Sequence, residues 1–396
     1  MKPKASAAES LVRPHTSTTA VPLKGDFVIR KLWVALPLLL SSTAALAATC
    51  TPSFPLQPGK PMGWQGADAA YSIPLPDARD VWIFGDTLYG TQRVVEGHDP
   101  RQVHNTLGIS TCDANGNWHL NYVIKRDSKG QAESYFSPAD PNHWYWALDG
   151  FFAKGDLWIT LLCIRHASQP GPWAMDFETC GSDLAQVSDL DRDPQHWKVT
   201  IRPLVPDGVK AYPSASTVVS NGYAYLFALY ESGSRPLLAT RIPLNGLQSP
   251  RKNLQYLAAD GQWKPGFDPQ KAKPVMEKGS SELSIRYHPD RKEWVAVLLN
   301  PGQVFSDQVI LRTAPELTGP WTDGEVIYHI PEMQPGPARD KNVFCYAGKE
   351  HPEFESPMDL VFTYVCNTMN VPELVTHLDI YHPRVVREPW PQSAGR

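Results

Sequence analysis

Helical periodicity is nearly absent from this chain of 396 residues, and so are the short motifs that mark many enzyme classes. Without a G-x-S-x-G elbow, a Walker loop or a G-x-G-x-x-G turn, serine-hydrolase and nucleotide chemistry have no anchor. C-x-x-C and H-E-x-x-H are missing too, and the 12 histidines are scattered, so no metal site is supported and no cofactor is required. A structural ion in a central channel, such as calcium, gains no support from the sequence either. Basic runs are lacking: Lys and Arg total 37 against 41 Asp and Glu, a net charge of -4, which argues against nucleic acid as a partner.

Long apolar stretches are also scarce. The one of note lies in "DFVIRKLWVALPLLLSSTAALAA", residues 26–48, and at about a dozen residues it falls short of the roughly 20 that a membrane span needs. Arg30 and Lys31 precede it, and Ala45-Leu46-Ala47 closes it with the small-x-small pattern of a signal-peptidase site. Residues 1–47 therefore read as a signal peptide with a polar N-terminal extension, cleaved after Ala47. The protein is expected to be secreted or periplasmic, with no stable membrane insertion. A retained anchor and lipidation at Cys50 are the alternatives. The prefix 1–25 is rich in Pro, Ser and Thr, unusual before a signal, and points to a start further along, near Val28.

What the chain does contain is short alternating or apolar runs bounded by Gly, Pro, Asn and Asp: "DVWIFGDT", "GDLWITLLCI", "STVVSNGYAYLFALY", "SIRYHPDRKEWVAVLLN" and "MDLVFTYVCN". The class is all-β. Each run follows a first strand that opens on a small or polar cluster, marked by Asp68, Asp149, Ser214, Glu282 and His351. These markers recur every 65 to 80 residues or so, and the chain after Ala47 divides into five units of about 70. Five units of four strands predict a single-domain five-bladed β-propeller over residues 48–396, with blade starts near 68, 149, 214, 282 and 351. Two β-sandwiches in tandem compete, but no linker divides the sequence.

All six cysteines lie after the proposed cleavage point, and an even count in an exported chain favours disulfides. Cys163 and Cys180 flank the turn "SQPGPW", while Cys345 and Cys366 flank "EFESPMD", so each pair faces across a hairpin and Cys50 is left for Cys112. Buried free thiols are the alternative.

The hairpin "GADAAYSIPLPDARDVWIFGDT", residues 66–87, places an aspartate near each outer end. Pairing residues whose numbers sum to 154 sets Ile73 opposite Val81, Tyr71 opposite Ile83, Ala69 opposite Gly85, and Asp68 opposite Asp86. Cross-strand neighbours stand about 4.5–5.5 Å apart, where two like charges repel and the pKa of one carboxyl rises. That suits an acid/base beside a nucleophile in a retaining glycosidase, which needs carboxyls about 5–5.5 Å apart. Strand-end capping of loop N–H groups is the plainer duty for the same residues.

Other candidates at the predicted mouth are Asp149 after Trp144 and Trp146, Glu282 in "SSELS", His351 and Glu353 in "KEHPEF", and Arg101, His104 and Asn105 in "RQVHNTLGIS". Asp149 and Glu282 are candidates to orient sugar hydroxyls, Arg101, His104 and Asn105 to reach them, Trp144, Trp146 and His351 to form subsite walls, and His351 and Glu353 to serve as substrate or ion ligands. The structural alternatives are inter-blade packing for the tryptophans, a buried salt bridge to an Arg for Glu282, turn stabilisation for His351 and Glu353, and simple surface exposure for the last three.

The stretches "GWQGADAAYSIPLPDARDVWIFGDT", "SSELSIRYHPDRKEWV", "LRTAPELTGPW" and "GKEHPEF…LVFTYVCN…YHPRVVR" together resemble a family of secreted five-bladed propellers catalogued as a domain of unknown function, some members of which are endo-D-arabinanases. The resemblance covers most of residues 60–388. It implies a propeller, a site at the channel mouth and an aspartate pair matching Asp68 and Asp86. The expected function is a secreted glycoside hydrolase acting on a polysaccharide or cell-surface glycan, with a furanoside such as D-arabinan as substrate. Asp68 would attack and Asp86 serve as acid and base, or the reverse. A non-catalytic glycan-binding propeller, or an inverting arabinanase- or fructosidase-like enzyme pairing Asp68 with Glu282, are the competing readings.

Overall fold

The computed structural model describes residues 50–93, 101–169, 176–303, 305–337, 339–370 and 372–392, so the proposed signal peptide lies outside the described residues. Five antiparallel sheets form the five blades of a β-propeller. The innermost strands are Trp64–Pro74, His143–Ala153, Ala211–Ser220, Leu283–His288 and Val343–Glu350. Blades 1, 2 and 4 add three further main strands each, blade 3 adds more short ones, and blade 5 has three strands in all.

Burial explains why the second strand of each blade reads as an apolar run rather than an alternating one. A propeller blade is covered on both faces, so neither side-chain set can be polar. In blade 1, Val81 and Ile83 pack with Leu157, Ile159 and Leu161 of blade 2, while Trp82 and Phe84 pack with Phe354 and Val361 of blade 5. The same split recurs in blade 3, where Leu226 faces blade 2 and Phe227 faces blade 4, and in blade 4, where Ala296 faces blade 3 and Val297 faces blade 5. Each blade boundary thus has its own apolar layer, the boundary between the last blade and the first included. Two tandem sandwiches would not produce that closed series.

Blade 1 takes its strands from 64–123 and blade 5 from 343–389, so no strand is exchanged at the closure among the described residues. Side chains join the two ends instead. Arg93, 2% exposed, donates to the carbonyls of Gln65, His377, Leu378 and Ile380. The three expected disulfides are present: Cys50–Cys112 ties the leading segment to blade 1, Cys163–Cys180 crosses blade 2, and Cys345–Cys366 joins directly opposed strand residues of blade 5.

Candidate active site

In the hairpin 66–87 the expected register holds at Ile73–Val81 and Tyr71–Ile83, and then breaks. Ala69 pairs with Phe84, not Gly85, and the register returns at Ala67–Thr87. Asp68 sits in the resulting bulge, with Ala69 and Ala70 at φ 66° and 62°. Left-handed backbone costs a non-glycine residue about 1–2 kcal/mol, so two in succession mark a segment held by its surroundings. Innermost strands of blades 2, 3 and 5 carry comparable register shifts, at 147–150, 213–216 and 346–349. Bulges re-aim side chains; those of blades 2 and 3 carry Asp149 and Ser214, both buried.

Lys349 clamps two of the bulges. Its ammonium donates to the carbonyl of Ala69 in blade 1 and, at 3.0 Å, to that of Ala347 in blade 5, another left-handed residue at φ 61°. It lies 4.3 Å over the Tyr71 ring and pairs with Glu282 at 3.0 Å. Burial pushes the Lys349 ammonium below its ordinary value, and the Glu282 carboxylate opposes that.

Around this clamp the structure brings Asp68, Asp86 and Glu282 together from blades 1 and 4. Tyr346 donates to Asp68 Oδ2 at 2.8 Å. Burial, then the neighbouring charges of Asp86 and Glu282, hold the Asp68 carboxyl well above the usual carboxylate range, with Tyr346 and Lys349 acting in the opposite direction. Asp68 also lies over Gly85: a Cβ there would meet Asp68 Oδ1 at 2.2 Å, so glycine is the residue that leaves room for the carboxyl. Asp86, with a side chain 22% exposed, pairs with His104 Nδ1 at 2.9 Å, and its backbone carbonyl accepts from Tyr381 Oη at 2.9 Å.

Half-buried aromatics flank the carboxyls. The Trp144 ring stacks on His104 with centroids 4.9 Å apart. On the other side Tyr346 stacks on Phe344 at 5.6 Å, and Phe344 meets Phe305 at 4.4 Å. Trp146 packs edge-on against Phe177 at 4.7 Å.

Three of the expected contacts are instead built into the architecture. Asp149 is 0% exposed; its carboxylate takes the Thr217 N–H at 2.7 Å and pairs with Arg286 at 3.2 Å, leaving no face for a sugar. His351, 1% exposed, lies between Ser72 Oγ at 2.6 Å and Thr363 Oγ1 at 2.8 Å, and burial pushes its pKa well down, so the ring is neutral. Asn105, 0% exposed, clips the carbonyls of Phe136 and Tyr145 and the N–H of Phe136. Arg101 is exposed, with its carbonyl accepting from the Tyr89 N–H. Glu353 is internal, with Oε1 enclosed and lacking a partner. The partner of Glu282 is Lys349, not an arginine.

Tyr346, Lys349 and Tyr381 escaped the sequence reading. A lysine directly after the uncharged run "VFCYAG", opening "KEHP", was the available signal, since a buried lysine in an inner strand needs an anionic or carbonyl partner. Two of the three His/Cys/Asp/Glu groupings among the described residues use cysteines that are already bonded as disulfides, and so offer no thiolate.

The family described as a domain of unknown function (DUF5005) matches residues 59–390. The chain belongs to that family. A comparison with curated proteins finds no match. Among solved structures, a Bacteroides ovatus protein provisionally assigned as a hydrolase superposes with a TM-score of 0.64 at 16% identity, covering 84% of this chain and 87% of that one. At that identity the likeness establishes the propeller fold. An α-L-arabinofuranosidase from Podospora anserina in complex with cellotriose gives 0.45 at 12% identity, covering 86% and 94%. A xylan β-1,4-xylosidase from Bacillus halodurans gives 0.44 at 10%; the chain covers 79% of itself there and about half, 51%, of that enzyme.

Proposed function

We propose that this DUF5005 propeller is an exported glycoside hydrolase that cuts a polysaccharide or cell-surface glycan with a retaining pair of carboxyls, Asp68 and Asp86. The observation that carries the reading is the grouping of two partly exposed carboxyls on one hairpin, Asp68 held by the Tyr346 hydroxyl at 2.8 Å and Asp86 by His104 at 2.9 Å. Burial and the neighbouring carboxylates push the Asp68 carboxyl upward, the direction that suits a general acid. This assigns the acid role to Asp68 and the nucleophile role to Asp86, the reverse of the order expected first.

In the forward step the Asp68 proton passes to the glycosidic oxygen as Asp86 bonds to the anomeric carbon and the C–O bond breaks. Asp68, now a carboxylate, then takes a proton from water, whose oxygen displaces Asp86 and releases the sugar. Tyr346 steadies the transient Asp68 carboxylate by donating to it, and His104 fixes the Asp86 carboxylate. Glu282, ion-paired with Lys349, adds negative potential that favours an oxocarbenium-like transition state. Trp144 and the Tyr346–Phe344–Phe305 row supply aromatic faces for sugar rings on either side of the cut, and Trp146 and Arg101 are outlying contacts.

A furanoside such as D-arabinan is the substrate class to test first. The three disulfides fit an oxidising compartment, and no helix among the described residues is long and apolar enough to cross a membrane. The test is a panel of bacterial and plant polysaccharides, D-arabinan included, with products read by mass spectrometry and the new anomer read by proton NMR. Oligosaccharide release with retained configuration is expected. Inverted configuration would remove the two-step mechanism.

A further inference from the structure

A second concave site lies between blades 3 and 4. Its blade 3 wall is the last short strand, Pro274–Met276, which pairs with Leu237 and Leu238 and leads through Glu277 and Lys278 toward the inner strand of blade 4. Its blade 4 wall is Arg312, in the third strand Gln308–Ala314, with the return loop that carries Trp321. The cleft between them measures about 710 Å³, within the range of roughly 300–1,000 Å³ usual for small-molecule sites. None of the rim carboxyls lines it.

Arg312 is built into that wall without a counter-charge. Its stem rests against Gly324, where an added Cβ would crowd Cγ at 3.3 Å. Nε is enclosed and lacks a partner, and Nη1 reaches one acceptor besides its own strand's surroundings, the Lys278 carbonyl, at a long 3.4 Å. Burial pushes the guanidinium below its ordinary value, and the charge of Asp323 opposes that from beyond ion-pair distance. A guanidinium carries five N–H donors in a planar fork, and a half-buried one with so few acceptors is matched to an oxyanion.

The charge balance of the lining points the same way. Lys273 and Lys278 are exposed, and neither ammonium has an ion-pair partner among the described residues. Against these three cations stand Glu277 and Asp323, so the cleft keeps a positive excess in a chain whose net charge is -4. A bare anion would meet the two carboxylates as well as the cations. A sugar that carries an anion offers hydroxyls to the former and an oxyanion to the latter. Trp321, half-buried against the core shared by blades 3 and 4, adds an aromatic wall.

We propose that this cleft binds an acidic saccharide, with Arg312 and Lys278 holding its carboxylate or ester oxyanion and Trp321 walling the sugar ring. The sugar part rests on the glycan reading given above, while the anion part rests on Arg312 and the unpaired lysines. The site is accessory: it holds a saccharide to the propeller and takes no part in bond cleavage.

The tag-free mature chain is titrated by isothermal calorimetry with trigalacturonate, a sulfated trisaccharide, the neutral methyl ester of trigalacturonate and inorganic sulfate. Saturable binding of an acidic trisaccharide is expected, about tenfold or more tighter than the ester, weakened by added salt, and reduced about tenfold or more in Arg312→Gln and Lys278→Met. The tighter of the two acidic sugars identifies the anion. Ester binding as tight as that of the acid would overturn the anion's role, and inorganic sulfate binding as tightly would overturn the sugar's. Undiminished binding in both variants, or no binding of either acidic sugar, would overturn the site. Lys278 is exposed, so Lys278→Met decides the matter even if Arg312→Gln fails to fold. None of these readouts needs turnover: if no glycan is cleaved while this binding holds, the hydrolase reading fails and the site stands, and cleavage without this binding does the reverse.

Discussion

Tyr346 Oη donates to Asp68 Oδ2 at 2.8 Å, a bond from blade 5 to blade 1 across the rim of the channel. Because the donor favours the ionised carboxyl, it lowers the pKa that burial and the neighbouring carboxylates raise. Tyr346→Phe should therefore lift Asp68 further. The alkaline limb of the activity profile, which reports the general acid, is expected to move upward in pH, with kcat reduced. A pH–rate profile of both proteins checks this; an unmoved or acid-shifted limb contradicts the acid role.

Gly85 is the space that Asp68 occupies. The Cβ of Gly85→Ala would lie 2.2 Å from Asp68 Oδ1, far inside contact distance, so the carboxyl must turn away. Turnover is expected to fall about tenfold or more, since a small misplacement of an acid is costly, while the hairpin core around Ile83 and Trp82 is untouched. Kinetics and a melting curve separate the two effects.

Lys349→Met removes the ammonium that two bulge carbonyls and Glu282 share, at a residue 1% exposed. Breaking a buried pair from one side costs on the order of 3–5 kcal/mol. Denaturant unfolding should show a loss near the lower end, because Glu282 keeps some solvent contact. A loss under about 1 kcal/mol would mean that the bulges hold without the clamp.

Asp80 makes stability pH-dependent. Burial, then Glu353, raises its carboxyl to about 7, against roughly 3.9 in an unfolded chain. The native state thus keeps a proton that the unfolded state releases between these values. Its stabilising contribution is whole below about pH 4 and is lost as pH climbs to 7, at up to about 1.4 kcal/mol per pH unit. Asp80→Asn should flatten that part of the stability–pH curve, as read by urea unfolding at several pH values.

Much of this architecture is legible in the sequence because a propeller writes its strands locally. The turn "PDARD" and the alternation of Tyr71, Ile73, Val81 and Ile83 fix the inner half of the first hairpin, and turn midpoints pair Cys163 with Cys180 and Cys345 with Cys366. The bulge at Asp68 left no trace, since Ala69 and Ala70 adopt left-handed backbone without the glycine that usually marks it. Depth was equally hidden. Asp149 and Asp68 both precede small residues in inner strands, yet one meets Arg286 in the interior and the other opens to the rim. That difference comes from partners more than 100 residues away, which no local pattern encodes.

The most direct test is turnover by the wild type, Asp68→Asn and Asp86→Asn on whichever glycan of the panel the wild type cleaves, with melting temperatures measured alongside. The account predicts a fall of about 10³-fold or more in each variant, with the fold intact. Wild-type-like turnover in both variants, or a wild type that binds a glycan of the panel and cleaves none, would contradict it.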